Sequence, residues 1–368
     1  NHPNSKIRAQ MDYYIEPAQP EADFLRVDSP EDLKLLDPAC GSGHILTYAF
    51  DLLYAIYEEQ GYDALSIPRL ILEKNLYGIE IDKRAAMLAG LALMMKARDK
   101  DKRFFTRGVR PNVIQMQDTS FSPEERRNWV EQLGQDLYTQ DLWEGMQQFE
   151  NAETFGSLIR PVIKDVPLIR ERMQQTGVYD NLFLRSTSER MEKVLEMSEY
   201  LSPRYQVVVA NPPYFSKGMD GEYKQFAQEQ YPDFKADTFS MFVKRNSDLA
   251  VKGGQLGFMT PYVWMFLSTY EKMRHYLIDE STITSLIQLE YSGFEGAVVP
   301  ICTFTFENRY IPGFLGGYVK LTDFKGPENQ APKTLEAIAN PDSSWFYRAS
   351  AEDFKKIPGA PIAYWAGN

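Results

Sequence analysis

Tyr205-Gln206-Val207-Val208-Val209-Ala210, followed by Asn211-Pro212-Pro213-Tyr214, is the stretch from which the rest of the chain takes its meaning. The first six residues have the β-branched density and short length of a buried parallel strand. The two prolines end it, since neither nitrogen carries a proton for a ladder or a helix. Pro212 also biases Asn211 toward extended backbone. A polar amide, a rigid turn and an aromatic ring are thus set at the carboxyl end of a central strand, where open α/β sheets bind ligands. The plain alternative is a strand exit closed by prolines, with Asn211 as a turn residue.

Upstream, the same rhythm of strand and helix recurs. Residues 1–30 are rich in Pro, Asp, Glu and Gln and read as a leading segment over the surface, with Asp28-Ser29-Pro30 as a start signal. Leu33, Leu35 and Leu36 lead into Asp37-Pro38-Ala39-Cys40-Gly41-Ser42-Gly43, and Ile45, Leu46, Ala49, Leu52, Leu53 and Ile56 then repeat at helical spacing. A second strand, Leu76 to Asp82, precedes the helix Ala85 to Ala97. A third, Asn112 to Met116, ends near Asp118. Such alternation implies right-handed crossovers and a parallel sheet.

From 119 to 204 that rhythm stops, and short helical stripes (Trp129, Leu133, Leu137; Met191, Val194, Leu195) predict a helical insertion without chemistry of its own. The sheet resumes at Tyr205 and continues through strands at 255–259 and 283–290. Two more, Val298 to Phe306 and Gly317 to Phe324, are expected antiparallel at the sheet edge. The expected architecture is α/β and Rossmann-like, with one unit from 31–118 and 205–325. Residues 326–368 read as the start of a linker or further domain.

Composition narrows the classes. A chain of 368 residues with 43% hydrophobic content can bury a sizeable core. No run approaches the roughly 18 apolar residues of a membrane span, and no signal peptide is visible. Cys40 and Cys302 lie far apart, and His2, His44 and His275 show no ligand spacing. A cytoplasmic protein without disulfide or metal is expected. The net charge of −11 is unfavourable for gripping nucleic acid, and the positives between Lys96 and Arg110 read as a solvated helix end. The chain opens at Asn1-His2-Pro3 without methionine, which reads as a piece of something longer.

Two constellations carry chemistry. Gly41 and Gly43 allow a ligand close to the backbone, and the helix behind them offers free N–H groups. Glu80, closing the next strand, is placed to accept from two ribose hydroxyls. Leu46 stands where a dinucleotide fingerprint needs its third glycine, and no Gly-Lys-Ser/Thr follows, so a pyrophosphate is not expected. Asp37 either steers the glycine turn or faces the ligand's ammonium. Asp118 is either a ligand for an exocyclic amine or a turn residue.

The second constellation is Asn211. A conjugated amine is a poor nucleophile. Two acceptors on its protons, the Asn211 side-chain oxygen and the Pro212 carbonyl, draw the nitrogen toward tetrahedral geometry, which is orientational and electrostatic catalysis. Tyr214 supplies a stacking ring, and Phe294, on a Gly-flanked loop, either a second ring or a core plug.

DPACGSG (37–43), GIEID (78–82) and NPPY (211–214) resemble, in that order, the motifs of N6-adenine DNA methyltransferases of γ-type motif order. The longer wording, including LYGIEID and GFEGAVVPICTFTF, is similar to the methyltransferases of BREX phage-defence systems. The resemblance implies S-adenosylmethionine as methyl donor, held by Asp37, Pro38, Gly41, Gly43, Glu80, Ile81, Asp118 and Asn211. It implies a mixed, mostly parallel sheet of seven strands, and a flipped adenine of double-stranded DNA as acceptor at Asn211, Pro212, Tyr214 and Phe294. Other phage-defence proteins are expected partners. A protein glutamine-N5 methyltransferase and a non-catalytic cofactor-binding scaffold are the rival expectations. Neither cysteine follows a proline as the nucleophile of a cytosine-C5 enzyme does.

Overall fold

The computed structural model describes residues 5, 7–20, 23–134, 139–214, 221–291, 293 and 299–366. Nine strands form one sheet: β1 Leu35–Asp37, β2 Leu76–Glu80, β3 Asn112–Gln115, β4 Tyr205–Ala210, β5 Ala250–Pro261, β6 Thr282–Gln288, β7 Ile301–Glu307, β8 Leu315–Lys320 and β9 Phe346–Ser350. Their order is β3-β2-β1-β4-β5-β7-β6-β8-β9. The strands from β3 to β5 in that order pair in parallel. β7 then runs antiparallel between β5 and β6. β8 is parallel to β6, and β9 antiparallel to β8.

The sheet therefore has nine strands, not the seven expected. The two late strands were also misplaced at the edge: β7 lies inside the sheet, and β8 is parallel to its neighbour β6. Sequence alternation marks a strand but carries no information about which neighbour it pairs with. Residues 326–366 supply the helix Pro327–Ala339 and the edge strand β9. Tyr364, further on, is buried in the main core and donates to Gln288 Oε1 at 2.7 Å.

Side-chain alternation splits the core into two layers. On one face Leu46, Phe50 and Leu53 of α1 (His44–Glu59) and Ala89 and Leu93 of the helix Lys83–Lys100 pack with Cys40 and Leu76. On the other, Leu36, Tyr77, Ile79 and Met116 meet Trp129, Met146, Phe149, Leu158 and Val194 from residues 119–204. That stretch is the cover of the second sheet face, where a bare parallel sheet would leave apolar side chains in water.

The leading segment crosses the opposite edge of the sheet from the strands' carboxyl ends. Ser5 Oγ donates to Glu59 at the end of α1, Leu25 lies beside Gly253, and Arg309 pairs with Asp23.

Candidate active site

The strand order reverses between β1 and β4: the chain builds outward from β1 through β2 to β3, then returns to β1's other side with β4. At such a switch point the loops leaving adjacent strands part, and a crevice opens at their carboxyl ends. A cleft of about 340 Å³ lies there, within the range of small-molecule sites, about 300–1,000 Å³. Pro38 and Ala39 after β1, Glu80 at the end of β2 and Ile81 just after it, and Asn211 and Pro213 after β4 all face it. The two constellations read from sequence thus share one cavity.

The turn after β1 is fixed by Glu80. Its Oε2 accepts from the Gly41 N–H at 2.7 Å, and its Oε1 accepts from Ile81 and Asp82 N–H at 2.8 and 2.9 Å. A carboxylate offers about four acceptor positions, so these bonds leave little spare capacity toward the cleft. Glu80 is first a clamp joining the glycine turn to β2.

The glycines divide their work. Gly41 (φ +54) has open space where a Cβ would stand. Gly43 (φ +85) caps α1, and a Cβ there would lie 3.0 Å from Ala89 Cα and Cβ. Its smallness serves the contact between α1 and the helix Lys83–Lys100.

Asp37 is buried beneath the turn and accepts from Ala39 N–H at 3.2 Å. Burial, and then the nearby Glu80 charge, push its carboxyl up to about 7. It does not line the cleft. Cys40 packs its sulfur over Gly78, and burial pushes its thiol up, away from a reactive thiolate.

Asp118 is exposed and lies outside the cleft wall. Its Oδ1 accepts from the Glu153 N–H at 2.8 Å, at the start of the short helix Ala152–Phe155. The carboxylate expected at an exocyclic amine is engaged in capping that helix.

The residues missed in sequence come from the insertion and from the helices after β4. Thr154, Phe155, Gly156, Ser157 and Leu158 line the cleft, with Tyr223, Thr238 and Phe242. Phe155 stacks on Phe226 with centroids 4.1 Å apart and planes 7° from parallel. Ser157 Oγ donates to the Pro38 carbonyl at 2.7 Å, buried Arg245 donates to the Ser157 carbonyl at 2.9 Å, and Tyr231 donates to the Leu158 carbonyl at 2.6 Å. Phe-Gly-Ser between two helical patterns was the one available signal, a small-residue break beside an aromatic.

Asn211 is exposed at the mouth of the cleft, Pro212 is buried beneath it, and Tyr214 is half-buried. Among the described residues no donor reaches the Pro212 carbonyl. The Tyr214 hydroxyl lies 2.6 Å from Asn211 Oδ1 and 2.9 Å from the Met259 carbonyl. Phe294 lies outside the described residues.

Among the described residues no cluster of His, Cys, Asp and Glu is arranged to hold a metal. None of their helices is long and apolar enough to cross a membrane. The fold and cleft define an α/β domain of the methyltransferase type. Residues 74–294 match the Eco57I restriction-modification methylase model, more than half of the chain, and the chain belongs to that family.

It is 36% identical over 400 residues to the adenine-specific methyltransferase BrxX of Escherichia coli O9:H4 (strain HS), covering 99% of this chain and 33% of that protein. To the adenine-specific methyltransferase PglX of Lacticaseibacillus casei (strain Zhang) it is 32% identical, covering 91% and 28%. The chain thus spans about a third of the length of these relatives.

The fold is shared with a nuclease-deletion mutant of the Type ISP restriction-modification enzyme LlaGI in complex with a DNA substrate mimic. The TM-score is 0.54 at 13% identity, over 90% of this chain and 24% of that one. It is shared too with DrdV in its DNA complex, at a TM-score of 0.52 and 14% identity over 92% and 28%.

Proposed function

We propose that this chain is the catalytic part of a site-specific DNA methyltransferase that transfers a methyl group from S-adenosylmethionine to adenine N6, in a phage-defence or restriction-modification system. The observation that carries this is the meeting of Asn211 and Glu80 across one cleft, with the end of β1 between them. Family membership and the names of the two relatives support it.

The cleft suits the cofactor's chemistry. Phe155, Tyr223 and Ile81 offer flat or apolar surface for a purine, and Glu80 would turn its one remaining acceptor position toward a ribose. Among the described residues nothing basic lines the cavity, which fits a cofactor without phosphates. When bound, S-adenosylmethionine supplies an electrophilic methyl group on a sulfonium. Pro38, Glu80 and Ile81 would hold the cofactor, while Gly41 and Gly43 shape the turn after β1, Asp37 backs that turn, and Asp118 fixes the cleft wall through the helix it caps.

The chain's own part is to hold the amine. The Asn211 oxygen and the Pro212 carbonyl accept its two protons and draw the lone pair out of conjugation. The Tyr214 ring, with Phe294 as the second ring read from the sequence, holds the extruded base, which has lost its stacking partners in the duplex. Both cysteines are buried with their thiols pushed up, so transfer runs directly to nitrogen without a thiolate nucleophile.

Incubation of the full-length protein with methyl-labelled cofactor and either duplex DNA or a release-factor-like protein tests the proposal. Label in DNA is expected; label in protein alone overturns it.

A further inference from the structure

The Tyr214 hydroxyl has one proton and two acceptors, Asn211 Oδ1 at 2.6 Å and the Met259 carbonyl at 2.9 Å. It can donate well to only one, and the other contact then sets two lone pairs against each other. Met259 cannot adjust. It belongs to β5, hydrogen-bonded to β7 on one side, just past the last β4–β5 pair, Ala210 with Phe258. The Asn211 amide can: it is exposed at the cleft mouth, and a half-turn exchanges its oxygen and nitrogen at little steric cost.

After that half-turn every group is matched. Asn211 Nδ2 donates to the Tyr214 oxygen, the Tyr214 proton goes to the Met259 carbonyl, and Asn211 Oδ1 is released toward the cleft.

We propose that Tyr214, through this relay to Met259, is a positioning residue that selects the Asn211 amide orientation in which the oxygen is free to accept an amine proton. The proposal rests on the adenine-N6 function above and adds to the tyrosine's ring a separate task for its hydroxyl. Burial pushes that hydroxyl up to about 12, so it keeps its proton through the neutral range. Without the hydroxyl both orientations are open, and the amide spends part of its time presenting N–H groups to an amine that needs an acceptor.

Tyr214→Phe keeps the ring and removes the relay. Single-turnover methylation by the full-length protein should slow about tenfold, with KM for DNA and cofactor within twofold of the parent. The conservative variant Asn211→Asp supplies the control, because its two oxygens are equivalent and leave no orientation to select. In that background Tyr214→Phe should change the rate less than twofold.

Equal fold-losses in both backgrounds would mean a packing role and overturn the proposal. A Tyr214→Phe enzyme at full rate beside an inactive Asn211→Ala also overturns it, leaving the function intact. Adenine methylation that persists in Asn211→Ala overturns the function and the proposal together.

Discussion

Replacing Gly43 with alanine should destabilise the ligand-free protein more than the same change at Gly41, although both glycines sit in one turn with positive φ. An alanine in left-handed backbone costs roughly 1–2 kcal/mol at either position. At Gly41 that is the whole effect, because nothing among the described residues lies within 4 Å of the added Cβ. At Gly43 the Cβ meets Ala89 Cα and Cβ at 3.0 Å, so α1 and the helix Lys83–Lys100 must part. Overpacking of this kind adds about 1–3 kcal/mol, for a sum of roughly 2–5 kcal/mol.

With unfolding entropy of about 2.1 cal/mol/K per residue, a chain of 368 residues loses about 3–6 °C in Tm at Gly43 and about 1–3 °C at Gly41. Scanning calorimetry without cofactor measures both. Equal shifts, or a larger one at Gly41, would refute the assignment of Gly43 to helix packing.

Three further outcomes follow from the site. Glu80→Ala should lower the stability of the ligand-free protein by on the order of 2 kcal/mol, since Gly41, Ile81 and Asp82 N–H lose their acceptor; an unchanged urea midpoint contradicts the clamp. Asp37 is raised from its usual value to about 7 by burial and by Glu80. The folded state therefore holds this proton more tightly than the unfolded chain, and the associated stability, full below about pH 4, is lost as pH rises through 7. Asp37→Asn, which keeps an acceptor for Ala39 N–H, should gain roughly 2–4 kcal/mol over the parent between pH 5 and 8.5, and a pH-independent difference contradicts this. Phe155→Ala should weaken S-adenosylmethionine binding about tenfold by calorimetry, on the order of 1.4 kcal/mol. An unchanged Kd removes the 119–204 stretch from the site.

What the sequence made legible was local. The glycine turn, the acid closing β2 and the proline exit after β4 each state a backbone requirement in a few adjacent residues. The parallel order that brings them together follows from the βα rhythm. What stayed hidden depends on contacts distant in sequence. Phe155 and Ser157 reach the cleft only because residues 119–204 cover the second sheet face, and helical stripes look alike whether they meet a sheet or water. Asp118 could be a ligand residue or a cap on sequence alone, and Glu153, 35 residues on, decides what its carboxylate holds. The same holds for β7, whose insertion between β5 and β6 is written in pairing, not in alternation.

Nucleoside mass spectrometry on unmethylated plasmid DNA, incubated with S-adenosylmethionine and the full-length protein or its Asn211→Ala variant, tests the central claim most directly. N6-methyladenine should accumulate with the parent and be absent with the variant, while both keep the same thermal midpoint. N6-methyladenine at parental levels from the variant, or C5-methylcytosine in its place, would contradict a mechanism in which an amide at the end of β4 prepares the adenine nitrogen.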